Sequence, residues 1–125
     1  MNHKTVVVCD DDATLTTLMR HLLEKRGFTV LTAGDAADGL RLVRSSKPHL
    51  LLLDFHMEGG DGTGVLNGMK SVSEKRPYTI VVSSNEGHEM RGQMTALGAD
   101  EVWEKPFNAL DLLKRIEALA RGGVI

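Results

Sequence analysis

"LLLLDFHMEGGDG", residues 50–62, sets four consecutive leucines directly before an aspartate and follows them with three glycines among its last four residues. A short continuous apolar run bounded by turn residues is typical of a strand buried on both faces of a sheet. Such a strand would hold Asp54 rigidly at its carboxyl end, and the glycines would let the next loop stay close to that carboxylate. The stretch therefore predicts a buried parallel strand that delivers a carboxylate to a ligand site.

The same order of strand and helix occurs five times along the chain. The predicted strands cover residues 5–9, 28–32, 49–53, 79–82 and 101–103. The first helix is predicted from the spacing of Leu15, Leu18, Met19, Leu22 and Leu23, with Gly27 as its stop. The other helices cover residues 35–46, 63–75 and 86–97, the last with Gly98 as its stop, and the stretch after the N-cap Asn108. This alternation predicts a doubly wound α/β fold with a five-stranded parallel sheet and five helices.

Length, charge and hydropathy exclude several kinds of protein. The 125 residues fit one domain, predicted over residues 1–125, in which residues 121–125 are either a loose tail or the start of a linker. A net charge of −2 gives no electrostatic footprint for nucleic acid or an anionic membrane. No apolar run approaches the ~20 residues of a membrane span, and the acidic residues after Cys9 argue against a signal peptide. We expect a cytoplasmic protein whose Cys9 is buried and unreactive.

Ionisable or hydroxyl side chains follow four of the five predicted strands. In chain order they are Asp10, Asp11 and Asp12, then Asp54, Ser83 and Lys105. Because the carboxyl ends of parallel strands meet at one edge of a sheet, we expect these side chains to lie close together. Taken alone, Asp12 is best interpreted as the N-cap of the first helix, Ser83 as a strand end and Lys105 as a surface charge. The sequence Lys105-Pro106 also allows a cis peptide bond.

Asp10, Asp11 and Asp54 together need a cation. Two carboxylates about 4 Å apart repel each other by roughly 4 kcal/mol at an effective dielectric near 20, a cost that a purely structural site would avoid. Mg²⁺ fits because it binds carboxylates, waters and phosphate oxygens in octahedral geometry. With Ser83 and Lys105 the site would hold an anion with three oxygens, so that Asp54 could attack phosphorus and form an aspartyl phosphate.

The chain resembles the receiver domain of bacterial two-component response regulators from Thr5 to about Ala120. The resemblance rests on "VVVCDDD", "LLLLDFHMEGGDG", "IVVSS", "LGADEVWEKPF" and their mutual spacing. It implies a flavodoxin-like sheet with strand order 2-1-3-4-5. It also implies a role for each site residue: Asp54 as phosphoacceptor, Asp11 as Mg²⁺ ligand, Asp10 assisting through water, the backbone carbonyl of His56 as a further ligand, and Ser83 and Lys105 as contacts of the phosphoryl group.

The resemblance further implies the partners. A sensor histidine kinase or a phosphotransfer protein would donate the phosphoryl group, and a shift of the surface formed by helix four, strand five and helix five would control a downstream effector protein or an attached output domain. Such a domain catalyses only its own phosphorylation and dephosphorylation, and is therefore not an enzyme for an outside substrate. A monomer is expected, with dimerisation on phosphorylation left open.

The sequence departs from the family pattern at several positions. Glu58 stands where a proline is usual, and Val102 stands where an aromatic residue usually accompanies the switch hydroxyl. Trp103 is next along the strand, so it should face the opposite side and pack against a flanking helix. The positions expected to set the lifetime of the phosphate are His56, Ser84 and Asn85.

Three other interpretations were weighed. A haloacid dehalogenase-type phosphatase would need an aspartate two residues after the nucleophile, where this chain has His56. A receiver-shaped docking module that never takes phosphate would not need all five site residues. A flavin-binding module would need a Ser/Thr-rich loop after the first strand, and the three aspartates there would repel the flavin phosphate.

Overall fold

A computed structural model describes residues 3–57, 60–70, 76–83 and 87–125, without the side chains of residues 60, 61, 70 and 87–90. Strands and helices alternate along the chain. They are β1 Thr5–Cys9, α1 Ala13–Glu24, β2 Thr29–Ala33, α2 Ala36–Ser46, β3 Leu50–Asp54, β4 His56–Met57, β5 Gly60–Asp61, α3 Thr63–Lys70, β6 Tyr78–Ser83, α4 Gly87–Ala96, β7 Glu101–Glu104 and α5 Ala109–Arg121. The five predicted strands are confirmed, and no end differs by more than one residue.

Five of the strands form one parallel sheet in the order β2-β1-β3-β6-β7. Counted in chain order within that sheet, this is the predicted 2-1-3-4-5, so the flavodoxin-like topology is confirmed. The registers of the central pairs bring Cys9 beside Leu53 and Asp54 beside Val82. The structure adds a short antiparallel ribbon of β4 and β5, in which His56 pairs with Asp61. The sequence analysis did not predict this ribbon.

The sheet is buried on both faces, as its apolar strands predict. Alternate residues of β1 and β3 belong to two separate clusters, with Val6 and Leu50 in one and Val7 and Leu51 in the other. All five residues of β3 are buried, including Asp54. Burying one leucine side chain contributes about 1.5–3 kcal/mol, so the four leucines anchor the strand that carries Asp54.

The helix ends follow the predicted signals. Gly27 and Gly98 adopt φ angles of 89° and 116°, the left-handed region that a helix stop favours. Asn108 caps α5, since its side chain accepts from the backbone N–H of Leu110 at 2.8 Å. Residues 71–75 and Glu86, which were assigned to the third and fourth helices, lie outside the described residues. The predicted first helix is confirmed, although Leu18, one of the residues whose spacing predicted it, is 43% exposed.

Helix α2 packs unusually close to β1 at Gly39. A Cβ atom at that position would lie 2.5 Å from Sγ of Cys9, so only glycine fits without a shift. The Cys9 thiol donates to the carbonyl oxygen of Asp35 at 3.3 Å. Burial, helped by the neighbouring Asp10, raises the pKa of this thiol to about 12, so Cys9 is buried and stays protonated.

The segment after α5 turns back onto the domain. Gly122 caps α5, and the backbone N–H groups of Val124 and Ile125 donate to the carbonyl oxygen of Leu119. Ile125 is buried in the same cluster as Val6 and Leu50. None of the described helices is long and apolar enough to cross a bilayer.

Candidate functional site

Three carboxylates meet at the carboxyl ends of β1 and β3. The parallel pairing of these strands puts Asp10, directly after Cys9, beside Asp54, and Asp11 follows next in the chain. One carboxylate oxygen from each of the three lies within 4.8 Å of the others. Asp10 and Asp54 are almost fully buried, whereas Asp11 is exposed. The predicted acidic cluster therefore exists and is open to solvent on the side of Asp11.

Lys105 reaches this cluster from the end of β7. Its Nζ lies 3.4 Å from Oδ2 of Asp54 and 3.5 Å from Oδ2 of Asp10. Its backbone N–H donates to the carbonyl oxygen of Ser83 at 2.7 Å, and the Lys105-Pro106 peptide is cis. One ammonium is thus shared by two buried carboxylates that come from different strands.

The second oxygen of each buried carboxylate is held by the backbone. Oδ1 of Asp10 accepts from the N–H of Asp12 at 2.9 Å, and Oδ1 of Asp54 accepts from the N–H of His56 at 3.3 Å. The Asp12 side chain instead accepts from the backbone of Thr14 at 3.0 Å, so it is the N-cap of α1, as predicted. These contacts fix the orientation of both buried carboxylates.

The charges of the cluster are not balanced. Burial, reinforced by the charge of Asp10, raises the pKa of Asp54 to about 6, although Lys105 and the N–H of His56 act in the opposite direction. Burial of the ammonium opposes charging of Lys105, but Asp10 and Asp54 outweigh it and raise the pKa of Lys105. The one positive charge of Lys105 therefore does not balance the two negative charges of Asp10 and Asp54, and a further cation would stabilise the ionised cluster.

Ser83 and His56 flank the cluster. Ser83 is buried at the end of β6, one residue beyond Val82, which pairs with Asp54. His56 begins β4, and its side chain is exposed. The structure therefore brings Asp10, Asp11, Asp54 and Lys105 into one group, with Ser83 and His56 on the neighbouring backbone. Glu58, Ser84 and Asn85, which were also singled out in the sequence, lie beyond the part of the chain that the structure describes.

A network on the outer strand β7 was missed by the sequence analysis. The carboxylate of Glu101 accepts from the Tyr78 hydroxyl at 2.6 Å, from Arg115 Nη2 at 2.6 Å and from Trp103 Nε1 at 3.0 Å. These hydrogen bonds, with the attraction of Arg115, overcome the effect of burial and lower the pKa of Glu101. The two ends of the Glu101–Arg115 pair lie on different elements, so no local pattern signals it.

Trp103 and Val102 face opposite sides of the sheet, as predicted. Trp103 packs against the cluster that contains buried residues of α1 and α5, and Val102 packs against the other cluster. The indole ring meets the ring of Phe107 edge to face, with the centroids 6.3 Å apart. The predicted packing of Trp103 against flanking helices is therefore confirmed.

The family model described as the response regulator receiver domain matches residues 6–117. The chain belongs to this family. The receiver domain is also similar to curated proteins: it is 34% identical over 116 residues to the transcriptional regulatory protein CpxR of Escherichia coli K12, and 29% identical over 119 residues to the alkaline phosphatase synthesis transcriptional regulatory protein PhoP of Bacillus subtilis strain 168. These alignments cover 93% and 95% of the receiver domain and 49% of each relative, so it spans about half the length of the curated relatives it matches.

Solved structures give the same family and fold. A CheY-like response regulator receiver domain from Methanospirillum hungatei JF-1 superimposes with a TM-score of 0.85 at 26% identity, covering 96% of this receiver domain and 95% of that chain. The Francisella response regulator 1452 receiver domain, at 23% identity and a TM-score of 0.85 over 97% and 99% of the two chains, shares the fold. The acidic cluster thus lies at the carboxyl edge of a receiver fold.

Proposed function

We propose that this receiver domain accepts a phosphoryl group on Asp54 in a Mg²⁺-dependent reaction, from a sensor histidine kinase or a phosphotransfer protein. The observation that carries the proposal is the buried Asp54 carboxylate, which lies within reach of two further carboxylates and of the Lys105 ammonium. Lys105 brings one positive charge to three neighbouring carboxylates, and the repulsion that remains supports a site for a further cation.

The donor set suits a hard divalent cation. Asp10, Asp11 and Asp54 offer only carboxylate oxygens, which Mg²⁺ prefers, and the exposure of Asp11 leaves room for water ligands. In the proposed site Asp11 and Asp54 would hold the ion directly, Asp10 would assist through water and the backbone carbonyl of His56 would add a further oxygen. The ion would neutralise the carboxylates and draw charge from the incoming phosphoryl oxygens.

The chain's own groups supply the remaining steps. A carboxylate oxygen of Asp54 attacks phosphorus while the bond from phosphorus to the donor nitrogen breaks, so one phosphoryl group moves and none is lost to water. Lys105 then exchanges its contact with Asp54 for one with a phosphoryl oxygen, and the Ser83 hydroxyl donates to another. Slow self-dephosphorylation returns the domain to its starting state, and no outside substrate is turned over.

Movement of Lys105 would carry the signal to the surface formed by α4, β7 and α5. Lys105 directly follows β7, and its backbone N–H donates to the carbonyl oxygen of Ser83 at the end of β6. Nη2 of Arg91, in α4, donates a hydrogen bond at 3.1 Å to Oε1 of Glu104, the last residue of β7. Because these contacts are consecutive, a shift of Lys105 would alter how α4 sits against β7, and so the affinity for a downstream effector protein or an attached output domain.

The test is phosphorylation by acetyl phosphate in the presence of Mg²⁺, followed by intact mass and by the fluorescence of Trp103, the single tryptophan of the chain. We expect the mass to rise by one phosphoryl group only when Mg²⁺ is present. Asp54→Asn should abolish the increase, and Asp12→Asn, a matched change in a helix cap, should preserve it. Failure of the unmodified chain to take phosphate would instead favour a docking module that acts without phosphorylation.

A further inference from the structure

A cavity of about 470 Å³ lies at the amino edge of the sheet, opposite the acidic cluster. Residues at or just before the beginnings of β1, β3 and β6 line it, together with the ends of the segments that return from α2 and α5. They include Lys4, Lys47, His49, Arg76, Tyr78 and Ile125. We name this space the basal cavity. Its volume lies within the roughly 300–1,000 Å³ that is usual for small-molecule sites.

The described lining of the basal cavity is positively charged. Lys4, Lys47 and Arg76 are cations, and the described lining contains no aspartate or glutamate. Cations at a helix C-terminus are common because they offset the helix dipole, which accounts for Lys47 at the C-cap of α2. Lys4 and Arg76 lie just before the starts of β1 and β6.

Arg76 is held in place by a neutral partner. Its Nη2 donates to the carbonyl oxygen of Gly98 at 2.6 Å, and the guanidinium fits so closely that a Cβ atom on Gly98 would lie 2.5 Å from it. A carbonyl oxygen satisfies one N–H group without cancelling the charge. The planar guanidinium has five such donors, in a geometry that matches two oxygens of a phosphate.

His49 is oriented by the strand ends. Its Nδ1 accepts from the backbone N–H of Thr5 at 3.0 Å, so the neutral ring carries its proton on Nε2. The backbone N–H of His49 donates to the carbonyl oxygen of Thr5 at 2.9 Å, and the carbonyl oxygen of His49 accepts from the N–H of Tyr78 at 3.0 Å. A rigid ring that carries an N–H donor therefore adds to the three cations. Pro48 and the ring of Tyr78 supply apolar surface in the same lining.

We propose that the basal cavity binds a small soluble anion that carries a pyrophosphate group, such as a nucleoside diphosphate. The two phosphoryl groups match the cations, because Arg76 can bind one of them through two N–H groups and the lysines can neutralise the other. The apolar surface of Pro48 and Tyr78 suits the nucleoside. This site is separate from the acidic cluster, and the proposal does not depend on phosphorylation of Asp54.

The test is calorimetric titration of the 125-residue chain carrying Asp54→Asn, without Mg²⁺, first with inorganic pyrophosphate and then with ADP. We expect saturable binding of one equivalent of each. Lys47→Ala should weaken binding about tenfold, as expected for one lost charge-assisted contact. Arg44→Ala removes an equally exposed cation from the last turn of α2, outside this cavity, and should change the affinity less than twofold.

Several outcomes would overturn the proposal. The first is the absence of saturable binding of either anion. The second is an equal loss of affinity in Arg44→Ala and Lys47→Ala, which would show general attraction of an anion to a basic surface. Arg76→Lys keeps the charge but loses the paired donors, so unchanged affinity in that variant would also contradict the site. In a further arm, preference for phosphatidylcholine vesicles containing phosphatidylinositol bisphosphate over ADP would exclude a soluble ligand. Circular dichroism of each variant checks that it is folded.

Discussion

At the carboxyl edge of the sheet, Asp10 and Asp54 are almost completely buried, whereas the cations at the amino edge occupy exposed or half-buried positions. Both sets of charges lie at the ends of the same parallel strands. At the carboxyl edge Asp10 and Asp54 have lost most of their water and depend on neighbouring charges. At the amino edge the cations keep much of their hydration and contribute little to stability.

The direction of the helices reinforces this difference. Because the sheet strands are parallel, every connecting helix begins near the carboxyl edge and ends near the amino edge. The starts of α1 and α2 are capped by Asp12 and Asp35, and α2 ends at Lys47. Anions favour helix N-termini and cations favour C-termini, by about 0.3–1 kcal/mol each at exposed positions. The two edges therefore differ most in burial, and that difference determines where a substitution has a large effect.

The largest expected effect is on Lys105, the cation that contacts the acidic cluster. Lys105→Ala should lower the rate of phosphorylation by acetyl phosphate roughly 10²–10³-fold, because a preorganised donor to the phosphoryl oxygens is lost. Intact mass measured over time gives the rate. Lys114→Ala, a change in an exposed lysine of α5, should leave it unaltered. A rate for Lys105→Ala within tenfold of the unmodified chain would mean that Lys105 only neutralises the resting cluster.

Replacing the buried acceptor should stabilise the metal-free protein. Burial and the charge of Asp10 raise the pKa of Asp54 from its ordinary 3.8 to about 6. A difference of one in pKa between the folded and unfolded protein corresponds to about 1.4 kcal/mol in the free energy of unfolding. The folded state therefore binds the proton more tightly, so the contribution of Asp54 is favourable below pH 4 and is lost as the pH rises through 6. Asp54→Asn keeps the neutral form and should raise the free energy of unfolding by up to about 3 kcal/mol at pH 8.

Urea denaturation at pH 4, 6 and 8 without divalent cations measures this gain. It should be small at pH 4, close to its full value at pH 6 and constant above pH 7. Asp38→Asn removes an exposed carboxylate from α2 and should change the free energy by less than about 0.5 kcal/mol at every pH. A gain for Asp54→Asn that does not depend on pH would contradict the origin in burial and charge.

Much of the carboxyl edge could be predicted from the sequence. Strands buried on both faces have continuous apolar runs, and the residues that end them must meet at one edge, so the sequence alone predicts that Asp10, Asp11, Asp54 and Lys105 lie together. The cap role of Asp12 followed from its position before α1. These features depend on local patterns and on topology, which sequence reasoning captures well.

The amino edge and the outer strand could not be predicted in this way. The β4–β5 ribbon has strands of two residues each, too short to show any periodicity. The contact between Arg76 and Gly98 joins residues 22 apart in the chain, and it depends on the exact path of a loop. The basal cavity is formed by several contacts of this kind. Contacts of this kind, between residues that neither a periodic pattern nor the meeting of strand ends brings together, carry no signal in a single sequence.

A smaller effect tests how rigidly the carboxyl edge is supported. Gly39→Ala adds a methyl group that would lie 2.5 Å from Sγ of Cys9, directly below Asp10. Overpacking costs about 1–3 kcal/mol, and the gain in helix propensity returns up to about 1 kcal/mol, so we expect a net loss of about 1–2 kcal/mol in unfolding experiments. Cys9→Ala in the same chain should remove most of the loss. A Gly39→Ala variant more stable than the unmodified chain would show that α2 moves away freely.

The smallest effect is expected at Lys47, where the amino edge tolerates change. Lys47 has φ 48° and ψ 60°, a left-handed conformation that costs an L-residue about 1–2 kcal/mol and glycine almost nothing. Glycine loses more chain entropy on folding, so Lys47→Gly should be more stable than Lys47→Ala by only about 0.5–1 kcal/mol in urea denaturation. Both variants remove the same charge, so both should bind pyrophosphate equally weakly. If instead they differ in affinity as well as in stability, the conformation of the α2 terminus, and not the charge of Lys47, governs the basal cavity.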